Sequence, residues 1–302
     1  MDANKESKRE ISYFVPNSNQ QHNQIDAFLP PEMAERAEKI GAKKASMPFG
    51  TLFILAVLAG AFISLGAIFS TTVTAAATGG LPFGVARLLA GLTFCLGLVL
   101  VVVAGAELFT GNNLKVMALA SGKITFAQLI RSWAIVYAGN FAGAGATAAI
   151  MLLTQHHLQG QGAVGQNILA IATAKCQYTF LQAVALGILC NALVCLTVWI
   201  CYSARSTTDK ILSIIFPITA FVAAGFEHSV ANMYFIPIGL FVKATAADAF
   251  WQMIGSTKET YAALSWYNFL FANLLPVTLG NIFGGSVMVG LVYWFVYLRK
   301  SR

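Results

Sequence analysis

Three ionisable residues lie in segments that are otherwise apolar enough to cross a membrane: Glu107, Glu227 and His228. A charged group at the centre of a bilayer costs at least about 2.5 kcal/mol on insertion scales, so each is a candidate functional residue. An imidazole titrates near neutral pH and can give either a hydrogen bond or a proton. These residues therefore predict chemistry inside a membrane rather than in a cleft on a soluble surface.

The two glutamates belong to one motif that occurs twice. The pattern G-x-E-x-x-x-x-N stands at 105–112 and again at 225–232. A second pattern, G-N-x-x-G followed by a small residue, stands at 139–144 and 280–285. Irregular backbone at membrane depth is tolerated only where it is buried in protein or lines a cavity. Duplicated halves with broken helices are typical of transporters whose site lies at the repeat interface.

The glutamates and the histidine call for different interpretations. Glu107 and Glu227 occupy the same position in the two repeats. We therefore expect them to hold the breaks by accepting hydrogen bonds from exposed backbone N–H groups. His228 occurs once, where the other repeat has Leu108, and this favours a pore-lining imidazole over a histidine satisfied in the core.

Polar and apolar neighbours complete the candidate pathway. Thr110 and Asn191 are its predicted polar members, with helix-packing hydrogen bonds as the alternative. Lys175 is expected to concentrate anions at the outer mouth, unless it is an ordinary solvated charge. The apolar residues that flank the breaks are candidates for constrictions or for core packing: Phe94, Leu98, Leu108, Phe109 and Phe221.

The half-helix that follows each break is predicted to start near the midplane. Helix starts carry partial positive charge and unpaired N–H groups. Two such starts, which converge from opposite sides, favour an anion and oppose a cation.

Composition places these residues in a polytopic membrane protein. The 302 residues are 57% hydrophobic and 10% charged, far below the charged fraction of soluble domains. Apolar runs long enough to span occur at 49–75, 88–121, 126–153, 180–203, 211–242 and 266–298. Residues 1–28 contain no apolar core of a signal peptide, so the first span is expected to direct insertion. The five cysteines show no metal spacing, and we expect no disulfide, metal or cofactor.

The net charge of +7 follows the predicted topology and does not indicate nucleic-acid binding. If both termini are cytoplasmic, the inner side carries most of the basic residues: Lys5, Lys8, Arg9, Arg36, Lys39, Lys43, Lys44, Lys115, Lys123, Arg131, Arg205, Lys210, Arg299, Lys300 and Arg302. The outer side carries Arg87, Lys175, Lys243 and Lys258. This bias satisfies the positive-inside rule, and the even number of spans agrees with it.

Three regions are expected along the chain. Residues 1–26 form a polar, disordered tail, and residues 27–46 form an amphipathic cytoplasmic helix with an apolar stripe through Phe28, Met33, Ala37 and Ile40. This helix is an interfacial anchor or a surface for a gating or cytosolic partner. The channel domain covers 47–302, with repeats at about 47–153 and 180–299.

At these motifs the chain resembles the formate/nitrite transporter family, and within it the formate channels. The resemblance covers about 27–299 and rests on these segments: FLPPEMAERAEKIG, PFGVARLLAG, GAELFTGN, VYAGNFAGA, LGILCNALVCLTVW, GFEHSVANM and PVTLGNIFGG. It implies a six-span, aquaporin-like protomer with broken second and fifth helices, a homopentamer, and passage of small weak-acid anions. It also implies a central histidine at His228, with Thr110, Asn191 and Lys175 along the pathway and constrictions at Phe94 with Phe221 and at Leu98, Leu108 and Phe109.

The resulting hypothesis is a formate channel of the bacterial inner membrane, in which His228 donates a hydrogen bond or proton and acts as a pH switch. Nitrite, hydrosulfide, acetate and lactate remain alternative anions. A neutral-solute channel lacks its Asn-Pro-Ala motif here, and an ammonium channel would call for paired pore histidines. An intramembrane hydrolase using Ser229 beside His228 lacks G-x-S-x-G, so no enzyme is expected. A receptor or scaffold role remains a possible second function.

Overall fold

The computed structural model describes residues 26–75 and 80–299, and over these ranges the chain is helical with no strand. Within them, six helices are long and apolar enough to span a bilayer, which confirms the predicted class. They are α2 (Phe49–Val73), α3 (Phe83–Ala104), α5 (Phe126–Leu153), α7 (Phe180–Ser203), α8 (Thr207–Ala224) and a last span, Asn268–Leu298. The last span is α-helical over Leu275–Ile282 (α11) and largely π-helical on either side. Nearly all of the expected tail, residues 1–25, lies outside the described residues.

Shorter helices complete the chain. They are α1 (Pro30–Ala45), α4 (Val116–Ala120), α6 (Ala163–Lys175), α9 (Ser229–Thr245) and α10 (Asp248–Met253). α1 lies within the range 27–46, and it packs Met33 and Ala37 against Met117, Trp199 and Leu298. We call this end of the bundle, where α2 begins and α7 ends, the α1 face, and the opposite end the α6 face.

Both predicted breaks are confirmed, and each begins at a glycine. α3 ends at Gly105 with φ +85° and α8 ends at Gly225 with φ +79°. This left-handed conformation caps a helix at little cost only when the residue has no Cβ. After the first break the chain resumes as a 3-10 turn, Gly111–Lys115, that leads into α4, and after the second it resumes as α9.

The glycines of the Gly-Asn motifs let two pairs of spans approach closely. A Cβ at Gly143 of α5 would overlap the carbonyl oxygen of Val57 on α2, and one at Gly284 would overlap that of Ile188 on α7. The repeated motif thus fixes the same helix contact in each half, as small residues do in membrane bundles. Large apolar residues remain on the outer surface, where they suit lipid or another protomer: Phe83, Leu153 and Phe216 among others.

Two helices lie between the predicted apolar runs, in stretches for which the sequence predicted no helix. α6 lies within the Gly/Gln-rich stretch 154–179, and α10 lies within 243–265. α6 occupies the place in the second half that α1 has in the first, since each ends just before the first span of its repeat. Lys44 near the end of α1 and Lys175 at the end of α6 mark this equivalence.

Candidate functional site

The first break is held by Asn140 of the Gly-Asn motif. Its Oδ1 accepts the backbone N–H of Phe109 at 2.9 Å. Its Nδ2 donates to the carbonyl oxygens of Ala56 and Glu107 at 2.7 and 2.9 Å. One buried amide therefore connects the backbone of the break, at Glu107 and Phe109, to Ala56 on the neighbouring span α2.

Asn281 repeats this arrangement at the second break. Its Oδ1 accepts the N–H of Ser229 at 2.9 Å, and its Nδ2 donates to the carbonyls of Gly187 and Glu227 at 2.8 and 3.0 Å. The role expected of the two glutamate side chains thus belongs to these asparagines, because an amide can both donate and accept where a carboxylate only accepts. The repeated Gly-Asn pattern was the available sequence signal for this role.

The Glu227 carboxylate lies in a buried ion pair. Its Oε1 is 2.7 Å from Lys175 Nζ, and the lysine side chain is only 15% exposed. Its Oε2 accepts the side-chain amides of Asn232 and Asn273 at 2.7 and 3.1 Å. Lys175 therefore lies against a counter-ion and is not a free charge at the mouth of the pathway.

Glu107 has the equivalent partner on the α1 face. Its Oε1 is 2.8 Å from Lys44 Nζ, and its Oε2 is 3.9 Å from the buried Lys115 Nζ. Lys115 also donates to Ser132 Oγ at 2.6 Å. Each repeat thus has a lysine from its own peripheral helix paired with the glutamate of its own break.

His228 and Thr110 meet between the two breaks. His228 Nε2 lies 2.9 Å from Thr110 Oγ1, and both residues are buried. His228 Nδ1 accepts the backbone N–H of Ala231 at 3.0 Å and so caps α9. A nitrogen that accepts an N–H carries no proton, which assigns the neutral tautomer with hydrogen on Nε2. The ring therefore donates to Thr110, whose hydroxyl hydrogen is left to donate elsewhere.

Two cavities approach this pair from opposite faces. The α6-face cavity, of about 380 Å³, is lined by His228, Phe94, Phe221, Lys175 and Arg87, among others. The α1-face cavity, of about 410 Å³, is lined by Leu98 and Leu108 and by a set of charged residues: Arg36, Lys43, Lys44, Lys115, Lys210 and Glu107. Both cavities carry net positive charge, which suits a small anion.

Of the five predicted constriction residues, two line the α6-face cavity, two line the α1-face cavity and one lines neither. Phe94 and Phe221 meet edge to face at 5.7 Å between ring centroids, where they line the α6-face cavity. Leu98 and Leu108 line the α1-face cavity. Phe109 instead packs edge-on against Tyr137, with ring centroids 4.9 Å apart, and lines neither of these two cavities.

Asn191 lies behind Thr110 and lines neither of these cavities. Its Nδ2 lies 3.3 Å from the Thr110 carbonyl oxygen and donates to Asn113 Oδ1 at 2.7 Å and to the Asn281 carbonyl at 2.6 Å. It thus contacts Thr110, the residue immediately before the half-helix that follows the first break, and Asn281, which holds the other break.

The unpaired N–H groups expected at the midplane are largely taken up by the protein. Asn140 binds that of Phe109, Asn281 that of Ser229, and the His228 ring that of Ala231. The helix dipoles remain, and the Thr110–His228 pair adds a hydroxyl donor beside the α6-face cavity.

Arg87 was not among the predicted site residues, although it lines the α6-face cavity. Its Nε donates to the Ala223 carbonyl at 3.0 Å, and its Nη2 donates to that of Val222. It therefore caps the end of α8 at the second break. No sequence pattern indicates this role, because the partners are backbone carbonyls far along the chain.

Comparisons with known proteins agree on one family. A family profile described as "Formate/nitrite transporter" matches residues 31–295. The chain is 46% identical over 279 residues to the formate channel FocA of Escherichia coli K12, which covers 92% of this chain and 98% of that one. It is 42% identical to FocA of Haemophilus influenzae, over 91% of this chain and 96% of that one. A solved structure described as a pentameric formate channel with formate bound has a TM-score of 0.79 and 47% identity, over 83% of this chain and 98% of that chain.

Proposed function

Because the chain belongs to the formate/nitrite transporter family, we propose that it is a channel that conducts formate across the bacterial inner membrane. The similar proteins named as formate channels, one of them solved with formate bound, support this substrate. The proposal involves no enzymatic step. The observation that carries it is the buried Thr110–His228 hydrogen bond between two positively charged cavities.

The proposed path joins the two cavities through the midplane. From the α6 face, an anion passes Phe94 and Phe221, reaches the Thr110–His228 pair, and leaves past Leu98 and Leu108. An ion loses hydration between apolar side chains, and this cost is several kcal/mol unless another group replaces the lost hydrogen bonds. The hydroxyl of Thr110 can supply one of these, since its oxygen already accepts from the His228 ring.

The geometry favours hydrogen bonding over proton donation by His228. A neutral ring that gave up its Nε2 proton would become an imidazolate. Full transfer therefore requires a second proton on Nδ1, where the N–H of Ala231 now points at 3.0 Å. Protonation at Nδ1 would remove the cap of α9, and this is how we propose that acid pH switches the channel.

Assembly and orientation belong to the same proposal. We propose a homopentamer with one pathway in each protomer, because the 47% identical solved relative is described as pentameric. We also propose that the α1 face is cytoplasmic, since that assignment places ten of the described basic residues inside and four outside. α1, which packs on the end of the bundle, is the proposed surface for a cytosolic partner.

Nitrite is the second candidate substrate, because the family profile that the chain matches is described by both anions. Hydrosulfide, acetate and lactate are further small anions that the path would have to discriminate.

The test is a stopped-flow uptake panel on the reconstituted protein. Formate, nitrite, hydrosulfide, acetate, lactate and chloride are compared at pH values on both sides of imidazole titration. We expect formate to give the fastest specific flux. No formate flux above that of protein-free vesicles would overturn the proposal, and faster nitrite flux would favour the second candidate.

A further inference from the structure

Two of the three fixed charges of the α6-face cavity cancel each other. Its described lining contains Arg87, Lys175 and Glu227 as charged groups. Lys175 and Glu227 form an ion pair at 2.7 Å, and the hydrogen bond from Ala231 leaves the His228 ring neutral. The remaining net charge of this lining is that of Arg87. An anion that enters from the α6 face is therefore attracted chiefly by a residue outside the expected pathway set.

We propose that Arg87 is the cation that attracts anions into the α6-face cavity and that it also positions the second break; this rests on the proposed anion-channel function. The guanidinium makes no ion pair in the described structure and is held by two backbone carbonyls of α8, those of Val222 and Ala223. Carbonyls satisfy its N–H donors but carry no net charge, so its field still reaches the cavity. A guanidinium stays protonated throughout the physiological pH range.

The carbonyls that Arg87 binds would otherwise oppose an anion. α8 ends at the second break, and the C-terminal end of a helix carries about half a negative charge. A cation at this end offsets that partial charge beside Phe221 and His228, which line the same cavity. Arg87 thus both offsets the partial negative charge at the end of α8 and adds a positive charge that attracts an anion.

Gly225 keeps the guanidinium beside the path. A Cβ at Gly225 would come within 3.2 Å of Arg87 Nη2, and both residues line the cavity. The glycine is already required by its positive φ, so the same residue ends the helix and leaves room for the charge. The α1-face cavity carries five basic residues and one acid, so it does not depend on a single cation.

The experiment measures formate uptake by proteoliposomes at ionic strengths of roughly 0.01 M and 1 M, set with an impermeant salt, since the screening length falls about tenfold between them. The variants are Arg87→Gln, which removes the charge, and Arg87→Lys, which keeps it without the fork. The matched control is the double variant Lys175→Met/Glu227→Gln, which removes an ion pair but leaves the net charge of the cavity unchanged.

We expect the apparent KM of the wild type to rise with salt. Arg87→Gln should raise the low-salt KM by roughly 3- to 10-fold and lose most of the salt dependence, because steering by a single charge is screened by ions. Arg87→Lys and the double variant should keep the salt dependence. If Arg87→Gln fails to assemble, the Arg87→His variant allows the charge at this position to be switched by pH in a single folded protein. Its KM should depend on salt only at pH values below the titration range of the introduced imidazole, where the ring is charged.

Wild-type salt dependence in Arg87→Gln, or in neutral Arg87→His, would overturn the proposal. So would equal losses in Arg87→Lys and Arg87→Gln with the salt dependence intact, since that would leave only a structural cap. Absence of formate flux in the wild type would instead reject the proposed substrate, and the same salt series would then be run with nitrite.

Discussion

Thr110 and His228 stand 118 residues apart in the chain, yet their side chains meet at 2.9 Å. Each is the residue immediately before the half-helix that follows its break. Their contact therefore joins the two halves of the protein at the point where the two inner half-helices begin. Movement of either break would change this hydrogen bond.

Removing the Thr110 hydroxyl tests whether the pair assists the anion. Thr110→Val keeps the shape of the side chain but offers no donor, and we expect formate flux to fall roughly 10- to 100-fold, the equivalent of one hydrogen bond of about 1.5–3 kcal/mol to a charged group. Thr110→Ser keeps the hydroxyl and should keep most of the flux. Stopped-flow uptake compares them, and equal flux in Thr110→Val and the wild type would exclude this role.

The asparagines of the Gly-Asn motifs should be essential to stability. Asn281→Ala leaves the buried Ser229 N–H and the carbonyls of Gly187 and Glu227 without their partner, and each lost partner costs about 1–3 kcal/mol. We expect a strongly lowered melting temperature of the detergent-solubilised protein, and the same for Asn140→Ala.

Asn268→Ala is the matched control for these two variants. Asn268 donates to a single carbonyl, that of Ala263, outside either break. Its loss should lower the melting temperature far less. Similar shifts for Asn268→Ala and Asn281→Ala would mean that the breaks do not depend on these amides.

A double-mutant cycle tests the Lys175–Glu227 pair. Lys175→Met leaves a carboxylate that is only 2% exposed without its counter-ion, which typically costs about 3–5 kcal/mol. Glu227→Gln leaves Lys175 without its counter-ion. This should lower the melting temperature less than Lys175→Met does, because the Lys175 side chain is more exposed than that of Glu227. The double variant should recover much of the melting temperature lost by Lys175→Met. Additive losses would show that the two charges do not stabilise each other.

Glycine substitutions separate close helix contact from simple helix propensity. Gly284→Ala places a methyl group on the Ile188 carbonyl and should cost about 1–3 kcal/mol, measured as loss of assembled protein on size-exclusion chromatography after heating. Gly145→Ala, on α5, meets no atom within 4 Å and should be neutral or stabilising by up to about 1 kcal/mol. Equal tolerance of both changes would contradict the packing described for α7 and the last span.

The spans and breaks were predictable because they depend on local composition. Runs of apolar residues predicted the spanning helices. The ends of α3 and α8 were predictable from Gly105 and Gly225, because the positive φ of a helix cap favours glycine. α6 was missed because it follows a Gly- and Gln-rich stretch and, at 13 residues, is too short to be recognised as a span. Its helix depends on packing against α9, which the sequence of the loop alone does not reveal.

The site was predictable as a set of residues but not as a set of contacts. His228 and Thr110 could be selected because a polar side chain at membrane depth is energetically costly, which favours a functional role. The counter-ion of Lys175 could not, because Glu227 lies 52 residues away and reaches it only through the packing of the second half. The carbonyl partners of Arg87 could not either, because they belong to the other half of the chain. The hydrogen bonds that Asn281 makes at the second break, in place of Glu227, likewise depend on tertiary packing.

The duplicated frame carries one imidazole, and its counterpart in the other repeat is Leu108. His228 lines the α6-face cavity, whereas Leu108 lines the α1-face cavity. A solute travelling one way meets phenyl rings and a donor first, and one travelling the other way meets leucines first. The free-energy profile along the proposed pore is accordingly asymmetric, so the first barrier that a solute meets depends on the side from which it enters.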